Sequence, residues 1–241
     1  MKMSQISVKA GGFAPNWPAP GGVQAFCAHE SDYRDMQARE DLQAHLGVQP
    51  IWLKQTHSID CVNLQGFMGS NDEPTGDAAY LASSISGMRK ACVVLTADCL
   101  PILLCSLDGL EIAAIHAGWR GLQAGVIESA ASQFRAPPVR IIAWLGPAIS
   151  QAAFEVGPEV HAGFLAAKPD QAKQTAAAFI DSANAGRFLA NMYQLARLRL
   201  AAFGIDQVYG GDFCTVAEPA FHSYRRDGVA SGRMATLIWR V

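Results

Sequence analysis

Residues 95–122 read LTADCLPILLCSLDGLEIAAIHAGWRGL, and the fold turns on this stretch. Two apolar runs, Cys92 to Thr96 and Leu100 to Cys105, have the length and composition of buried strands. Asp108-Gly109 is a hairpin turn signal leading into a third run, Ile112 to His116. From Trp119 to Phe134 the spacing predicts a helix. Strands built only for packing would place Val, Ile or Leu throughout. Here Asp98 and Cys99 break the apolar runs, His116 ends the third, and Arg120 falls in the first turn of the helix. Strand ends and helix starts are where side chains and backbone N–H groups converge on ligands.

Working outward, Val23 to His29 reads as a strand. Ser31 is the expected N-cap of a helix toward Leu46, closed by Gly47. Ile51 to Leu53 and Ile59 to Leu64 read as short strands, and Met68 to Gly76 as a loop. Val139 to Leu145 is a further buried strand ending at Gly146-Pro147. A helix is expected over Pro158 to Ala167, then a polar loop, then a long helix from Arg187 to Phe203 stopped by Gly204. Val208 to Phe213 and Ala235 to Val241 are the last expected strands, with FHSYRRDG between them. Hairpins and crossovers occur together, which points to an α/β (α+β) fold with a mixed sheet packed by helices. The absence of repeats and low-complexity linkers makes residues 1–241 one expected domain.

Half of the residues are hydrophobic, 17% are charged and the net charge is −2. Such a chain can bury a substantial core and lacks the basic face that nucleic acid or an anionic membrane requires. Residues 10–29 are uncharged, but Pro15, Pro18, Pro20 and four glycines bar a spanning helix or a signal peptide there. A cytoplasmic protein is expected. The six cysteines (27, 61, 92, 99, 105 and 214) include no C-x-x-C pair, which favours reduced thiols. Cys61, Cys92 and Cys105 read as core residues, and His29, His45 and His161 as surface residues without a ligand role.

The Rossmann, P-loop, G-x-S-x-G, H-E-x-x-H and zinc-deaminase patterns are all absent. His57, Cys99 and His116 remain. Two imidazoles and a thiolate suit zinc or copper, and three protein ligands leave a position open for water or substrate. Their wide separation means that only the fold could assemble them. On spacing alone, the balance favours a buried cysteine and ordinary surface histidines over a metal site.

The segments WLKQTH (52–57), TADCLPILL (96–104), AAIHAGWRGL (113–122), LGPAIS (145–150) and FEVG (154–157) are followed by CT (214–215), HSYRRDG (222–228) and SGR (231–233). In these motifs and their order the chain resembles the YfiH-like laccase-domain family, from about Ile51 to the C-terminus. That family is variously described as polyphenol oxidase, purine nucleoside phosphorylase and peptidoglycan editing factor. The resemblance implies a layered sandwich of the kind shared with CNF toxins. It also implies zinc, or alternatively copper, bound by His57, Cys99 and His116. His222 stands where the family usually has an aromatic residue, and Leu145 where isoleucine is common; neither touches a proposed ligand.

The resemblance further implies a zinc-dependent purine nucleoside phosphorylase with adenosine deaminase activity. Its partners would be phosphate and adenosine, inosine or 5′-methylthioadenosine. A monomer or small homo-oligomer is expected, with neither nucleic acid nor membrane as a partner. Deamination needs a carboxyl group for proton transfer, and Asp77 and Asp98 are the candidates. Asp98 has an equal structural reading, as a cap for backbone N–H groups at the strand break. Phosphorolysis needs the attacking phosphate held and oriented. Arg120 is the first choice for that role, followed by Arg225, Arg226 and Arg233. Cys214 and Ser223 complete the expected substrate-binding set, Cys214 having core packing as an equal reading. The competing functions are a hydrolase using Cys99 as nucleophile on a peptidoglycan precursor, a copper-dependent polyphenol oxidase, and a non-enzymatic metal-binding module.

Overall fold

At Ala97-Asp98-Cys99 the chain leaves one sheet and enters another. The computed structural model describes residues 11–65, 67, 73–82 and 89–241, and it places the runs on either side of that break in different sheets. In chain order the first strands are β1 (Gly12–Phe13), β2 (Val23–Ala28), β3 (Gln49–Ile51), β4 (Cys61–Asn63), β5 (Ala78–Ala82), β6 (Lys90–Thr96) and β7 (Leu100–Ser106). They are followed by β8 (Glu111–Ala117), β9 (Ile141–Leu145), β10 (Glu155–Val156), β11 (Phe179–Asp181), β12 (Phe188–Ala190), β13 (Gln207–Gly210) and β14 (Met234–Arg240). The helices are α1 (Met36–Leu46), α2 (Trp119–Ala124), α3 (Val126–Ala131), α4 (Pro158–Ala167), α5 (Ala172–Ala176), α6 (Met192–Phe203) and α7 (Tyr224–Asp227).

The fold is mixed α/β, as expected, but holds three sheets rather than one. A five-stranded sheet runs β1-β2-β14-β6-β3, a six-stranded sheet runs β13-β9-β7-β8-β5-β4, and β10-β12-β11 form a small third sheet. The two large sheets pack face to face. Val94, Cys92 and Ile238 of the first meet Leu103, Cys105, Ile112 and Trp144 of the second. On its other face the six-stranded sheet presents Ile102, Leu104 and Ile115 to the helices, including Leu122, Ile127 and Leu195. The five-stranded sheet is closed by α1, where Leu42 packs on Val93, Leu237 and Trp239. Strands buried on both faces read as unbroken apolar runs, which is why β7 and β8 show no alternation in sequence. The Asp108-Gly109 turn joins β7 and β8 antiparallel, with Gly109 at φ 71°.

Several expected boundaries move for identifiable reasons. Asp35, not Ser31, caps α1 by accepting the Ala38 N–H, while Gly47 closes the helix in the left-handed conformation. The single helix expected from Trp119 to Phe134 is two, divided at Gly125 with φ 109°. The helix expected from Arg187 begins only at Met192, capped by the Asn191 side chain, because Phe188–Ala190 pairs as a strand with β10 and β11. Strand β13 stops at Gly210, where Gly210 and Gly211 take φ of 69° and 89°. YRRDG, between the last two expected strands, forms a short helix capped by Ser223. The expected 68–76 loop lies partly outside the described residues. His29, His45 and His161 are half-buried rather than on the open surface. Among the described residues no helix is long and apolar enough to cross a membrane.

Candidate metal centre and substrate cleft

His57 lies in the loop between β3 and β4 with φ 62°, a conformation uncommon outside glycine. The Asp77 carboxylate holds that loop. It accepts from the main-chain N–H groups of Thr56, His57 and Ser58 at 3.1, 2.9 and 2.7 Å. Asp77, just ahead of β5, also accepts from His116 Nδ1 at 2.7 Å. With Nδ1 committed to Asp77, His116 offers Nε2 as its ligand atom, the arrangement by which a carboxylate orients a metal-binding imidazole.

Cys99 enters from the break between β6 and β7, its Sγ 3.8 Å from His57 Nε2. The His57 and His116 rings lie 4.8 Å apart, nearly perpendicular. One ligand atom from each of His57, Cys99 and His116 can be chosen so that all three fall within 4.8 Å of one another. Gly118 keeps the space beside them open. A Cβ there would stand 2.7 Å from His57 Cδ2 and 3.2 Å from Cys99 Sγ. Two nitrogens and a thiolate converging on a cradle that admits no side chain fit a zinc- or copper-class ion with three protein ligands.

Electrostatics agree with this geometry. Burial alone would push the Cys99 thiol up, but the charges and hydrogen bonds of His116 and His57 bring it down to about 6. Burial disfavours charge on His116, yet Cys99 and Asp77 raise it to about 9. Burial also works against ionised Asp77, but His116 and the Ser58 and Thr56 N–H groups hold its carboxyl well below the usual carboxylate range.

Cys99 and both histidines open into a cleft of about 790 Å³, within the range of small-molecule sites. Its cations are Arg34, Arg39, Lys54, Arg120, Arg225 and Arg233, against the carboxylates of Glu73 and Asp98. Arg120 is exposed, and its guanidinium stacks 4.4 Å from the Trp119 ring centroid. Phe154 and Tyr224 add aromatic surface to the cleft.

The other expected site residues divide. Asp98 lines the cleft with φ 85°, accepting from Thr215 Oγ1 and from the Arg225 N–H, each at 2.6 Å. It does cap a backbone N–H, but one in the C-terminal segment. Arg225 lines the cleft; its guanidinium donates to the Ala153 and Glu155 carbonyls at 3.3 Å. Asp77 is fully buried and does not line the cleft. The Arg226 guanidinium is turned onto the Thr215 and Phe221 carbonyls and Asp227, and Ser223 is the buried cap of α7. Cys214 belongs to a separate cavity of about 690 Å³, where Ser150 Oγ donates to its Sγ at 2.9 Å. Arg34, Arg39, Trp119, Phe154 and Tyr224 line the cleft without having been singled out from the sequence. Trp119, between His116 and Arg120, carried a signal of position; Arg34 and Arg39 carried none.

Residues 26–241 match the model of a family described as multi-copper polyphenol oxidoreductase laccase. The chain is 41% identical to the Escherichia coli protein named purine nucleoside phosphorylase YfiH, over 94% of this chain and 98% of that one. It is 40% identical to a Pseudomonas aeruginosa protein named purine nucleoside phosphorylase, over 93% of this chain and 96% of the relative. Among solved structures, a Neisseria meningitidis protein superposes with a TM-score of 0.86 at 39% identity, covering 95% of this chain and 99% of its own.

Proposed function

The chain belongs to the family described as multi-copper polyphenol oxidoreductase laccase, and from its relatives named purine nucleoside phosphorylase we propose that it is a metal-dependent enzyme of that kind. Relatives of that name, aligned over nearly their whole length, support an enzyme of this kind. The observation that carries the proposal is that the His57, Cys99 and His116 set opens into the same cleft as Arg120 and Arg225. Zinc is the proposed ion, and adenosine, inosine and 5′-methylthioadenosine are the proposed nucleosides.

In phosphorolysis the bond from the sugar anomeric carbon to the base breaks, and a phosphate oxygen bonds to that carbon. Positive charge builds on the sugar in the transition state, so the incoming anion must be held close and aligned. Arg120 does this with a planar fork steadied by the Trp119 face. Arg225 assists from α7, where the Asp98 carboxylate fixes its main chain. The aromatic faces of Trp119 and Phe154 offer the base an apolar surface. When bound, the metal supplies a Lewis acid that polarises an oxygen atom in the cleft. Asp77 is a positioning residue, setting the His57 loop and the His116 ring.

Adenosine deamination belongs to the same proposal: a water oxygen bonds to C6 of the base as the bond from C6 to the amino nitrogen breaks, and Asp98 carries a proton from the water to the departing ammonia, because Asp77 faces the loop and not the cleft. The test follows adenine, ribose 1-phosphate and ammonia released from adenosine, with and without phosphate. The proposal expects adenine and ribose 1-phosphate only with phosphate, and ammonia in both. Equal adenine release without phosphate would mean simple hydrolysis and remove the phosphorylase assignment.

One observation favours a second reading. A thiol lowered to about 6 and set 3.8 Å from an imidazole also suits a cysteine nucleophile. A covalent substrate adduct trapped on Cys99 in metal-free, active protein would select that hydrolase.

A further inference from the structure

Three ligand atoms define a triangle, and each of its sides must be held if the set is to close on one ion. The side from Cys99 to His116 is held by the β7–β8 ladder, where Leu100 lies opposite Ala117 and Pro101 opposite His116. The side from His57 to His116 is held by the Asp77 carboxylate, which accepts from both residues. The side from His57 to Cys99 joins the β3–β4 loop to the β6–β7 break, and neither of those devices spans it.

The Gln55 side chain does. Its Nε2 donates to the Leu95 carbonyl at 2.9 Å, and its Oε1 accepts from the Leu95 N–H at 2.7 Å. Strand β3 accompanies β6 only from Gln49 to Ile51, opposite Lys90 to Cys92. Past that point the Gln55 amide stands in for a strand residue, offering one donor and one acceptor to the main chain of Leu95. Gln55 precedes His57 by two residues, and Leu95 leads to Cys99 within four. Both Gln55 and Leu95 line the cleft beside the proposed ligands. His57 at φ 62° keeps a sparsely populated conformation only if its surroundings over-determine it. Asp77 gathers the N–H groups of that loop, and Gln55 fixes where the loop sits along β6.

We propose that Gln55 is a positioning residue for the metal centre, its double hold on Leu95 setting the distance between His57 and Cys99. This rests on the metal reading of the His57, Cys99 and His116 set given above. In this role Gln55 touches neither ion nor substrate, and its effect reaches the cleft through the spacing of two ligands.

The test measures zinc affinity, by competition with a chelating dye, in the wild type, Gln55→Met, His57→Ala and a variant carrying both substitutions. Methionine keeps the length of the side chain and removes both hydrogen bonds. Gln55→Met should bind zinc at least about tenfold more weakly, the loss typical of a group that orients a ligand. In the His57→Ala background the same substitution should cost less than about threefold, because no imidazole remains there to be positioned. Cobalt adds a spectroscopic signature: Gln55→Met should keep the thiolate-to-metal charge-transfer band of Cys99 while its ligand-field bands change as the His57 contact loosens. Hydrogen exchange in the wild type alone keeps the test valid if the variant misfolds. Coupling between the clamp and the metal is reciprocal, so zinc should slow exchange of the Leu95 N–H at least about tenfold more than that of the Val93 N–H. Equal zinc affinity in wild type and Gln55→Met, an equal loss in both backgrounds, or Leu95 exchange indifferent to zinc overturns the positioning role and leaves the metal reading standing. A wild type that binds neither zinc nor cobalt overturns the metal reading itself, and the positioning role with it.

Discussion

Asp77 and His116 are joined by a 2.7 Å hydrogen bond between a carboxylate with no exposed surface and an imidazole that is 4% exposed. The same carboxylate closes the His57 loop through three main-chain N–H groups, so one residue sets two of the three proposed metal ligands. Asp77→Asn replaces an acceptor-only group by one that presents donors to those N–H groups. Metal affinity should fall about 10- to 100-fold, and urea unfolding of the metal-free protein should show a loss of about 3 kcal/mol. The native Asp77 pKa lies below its unfolded value, so this contribution is present above about pH 4 and is lost as pH falls toward the native value. The stability gap between wild type and variant should therefore narrow in acid. Unchanged metal affinity would remove Asp77 from its positioning role.

Gly118→Ala tests the cradle independently of any ligand. Its Cβ would lie 2.7 Å from His57 Cδ2, so the exposed ring must move aside. Metal affinity should drop about tenfold or more while cooperative unfolding is retained. Titration with a metal-indicator dye reads this directly, and wild-type affinity in the variant contradicts the geometry.

Thiol chemistry separates the six cysteines. Burial pushes Cys27, Cys61 and Cys105 up to about 12, and Cys92 further in the same direction. Cys99 is brought down to about 6, and Cys214 is lowered by the Ser150 hydroxyl and neighbouring N–H groups in spite of burial. Metal-free native protein at pH 7.5 should therefore present two fast thiols to a disulfide reagent, and the other four only after unfolding. Bound metal should protect Cys99 and leave one. Rapid reaction of more than two thiols in the native state would contradict the raised thiols of buried Cys27, Cys92 and Cys105 and half-buried Cys61.

The fold was legible in sequence where the signal is local. The Asp108-Gly109 turn, Pro158–Ala167 and the Gly47 and Gly204 helix stops depend on backbone preferences within a few residues. The break at Asp98 and Cys99 was visible too, but not its meaning, because partition of β6 and β7 into separate sheets depends on distant pairing with β14 and β9. The proposed metal ligands His57, Cys99 and His116 were marked by residue type and family resemblance, and the fold brings them together. Arg34 was not, because it reaches the cleft only through contacts with Ser231 and Asp32, nearly two hundred residues apart. Arg226 shows the reverse case: a motif arginine whose fork is occupied by carbonyls inside its own segment.

Arg120 carries the phosphate assignment. Arg120→Ala should raise the KM for phosphate at least about tenfold, the loss expected for a charge-assisted contact. Metal content should stay unchanged, because among the described residues Arg120 is held against Trp119 and makes no hydrogen bond to the three proposed ligands. Unchanged phosphate dependence in steady-state kinetics would move the anion elsewhere in the cleft.

The most direct test of the account is stoichiometric metal analysis of wild type, His57→Ala, Cys99→Ala and His116→Ala, with phosphate-dependent adenine release measured on the same samples. The account predicts about one ion per wild-type chain, and loss of most metal and of activity in each variant, since each removes one of three protein ligands. Wild-type protein prepared without chelator that holds neither zinc nor copper, yet releases adenine, would contradict it.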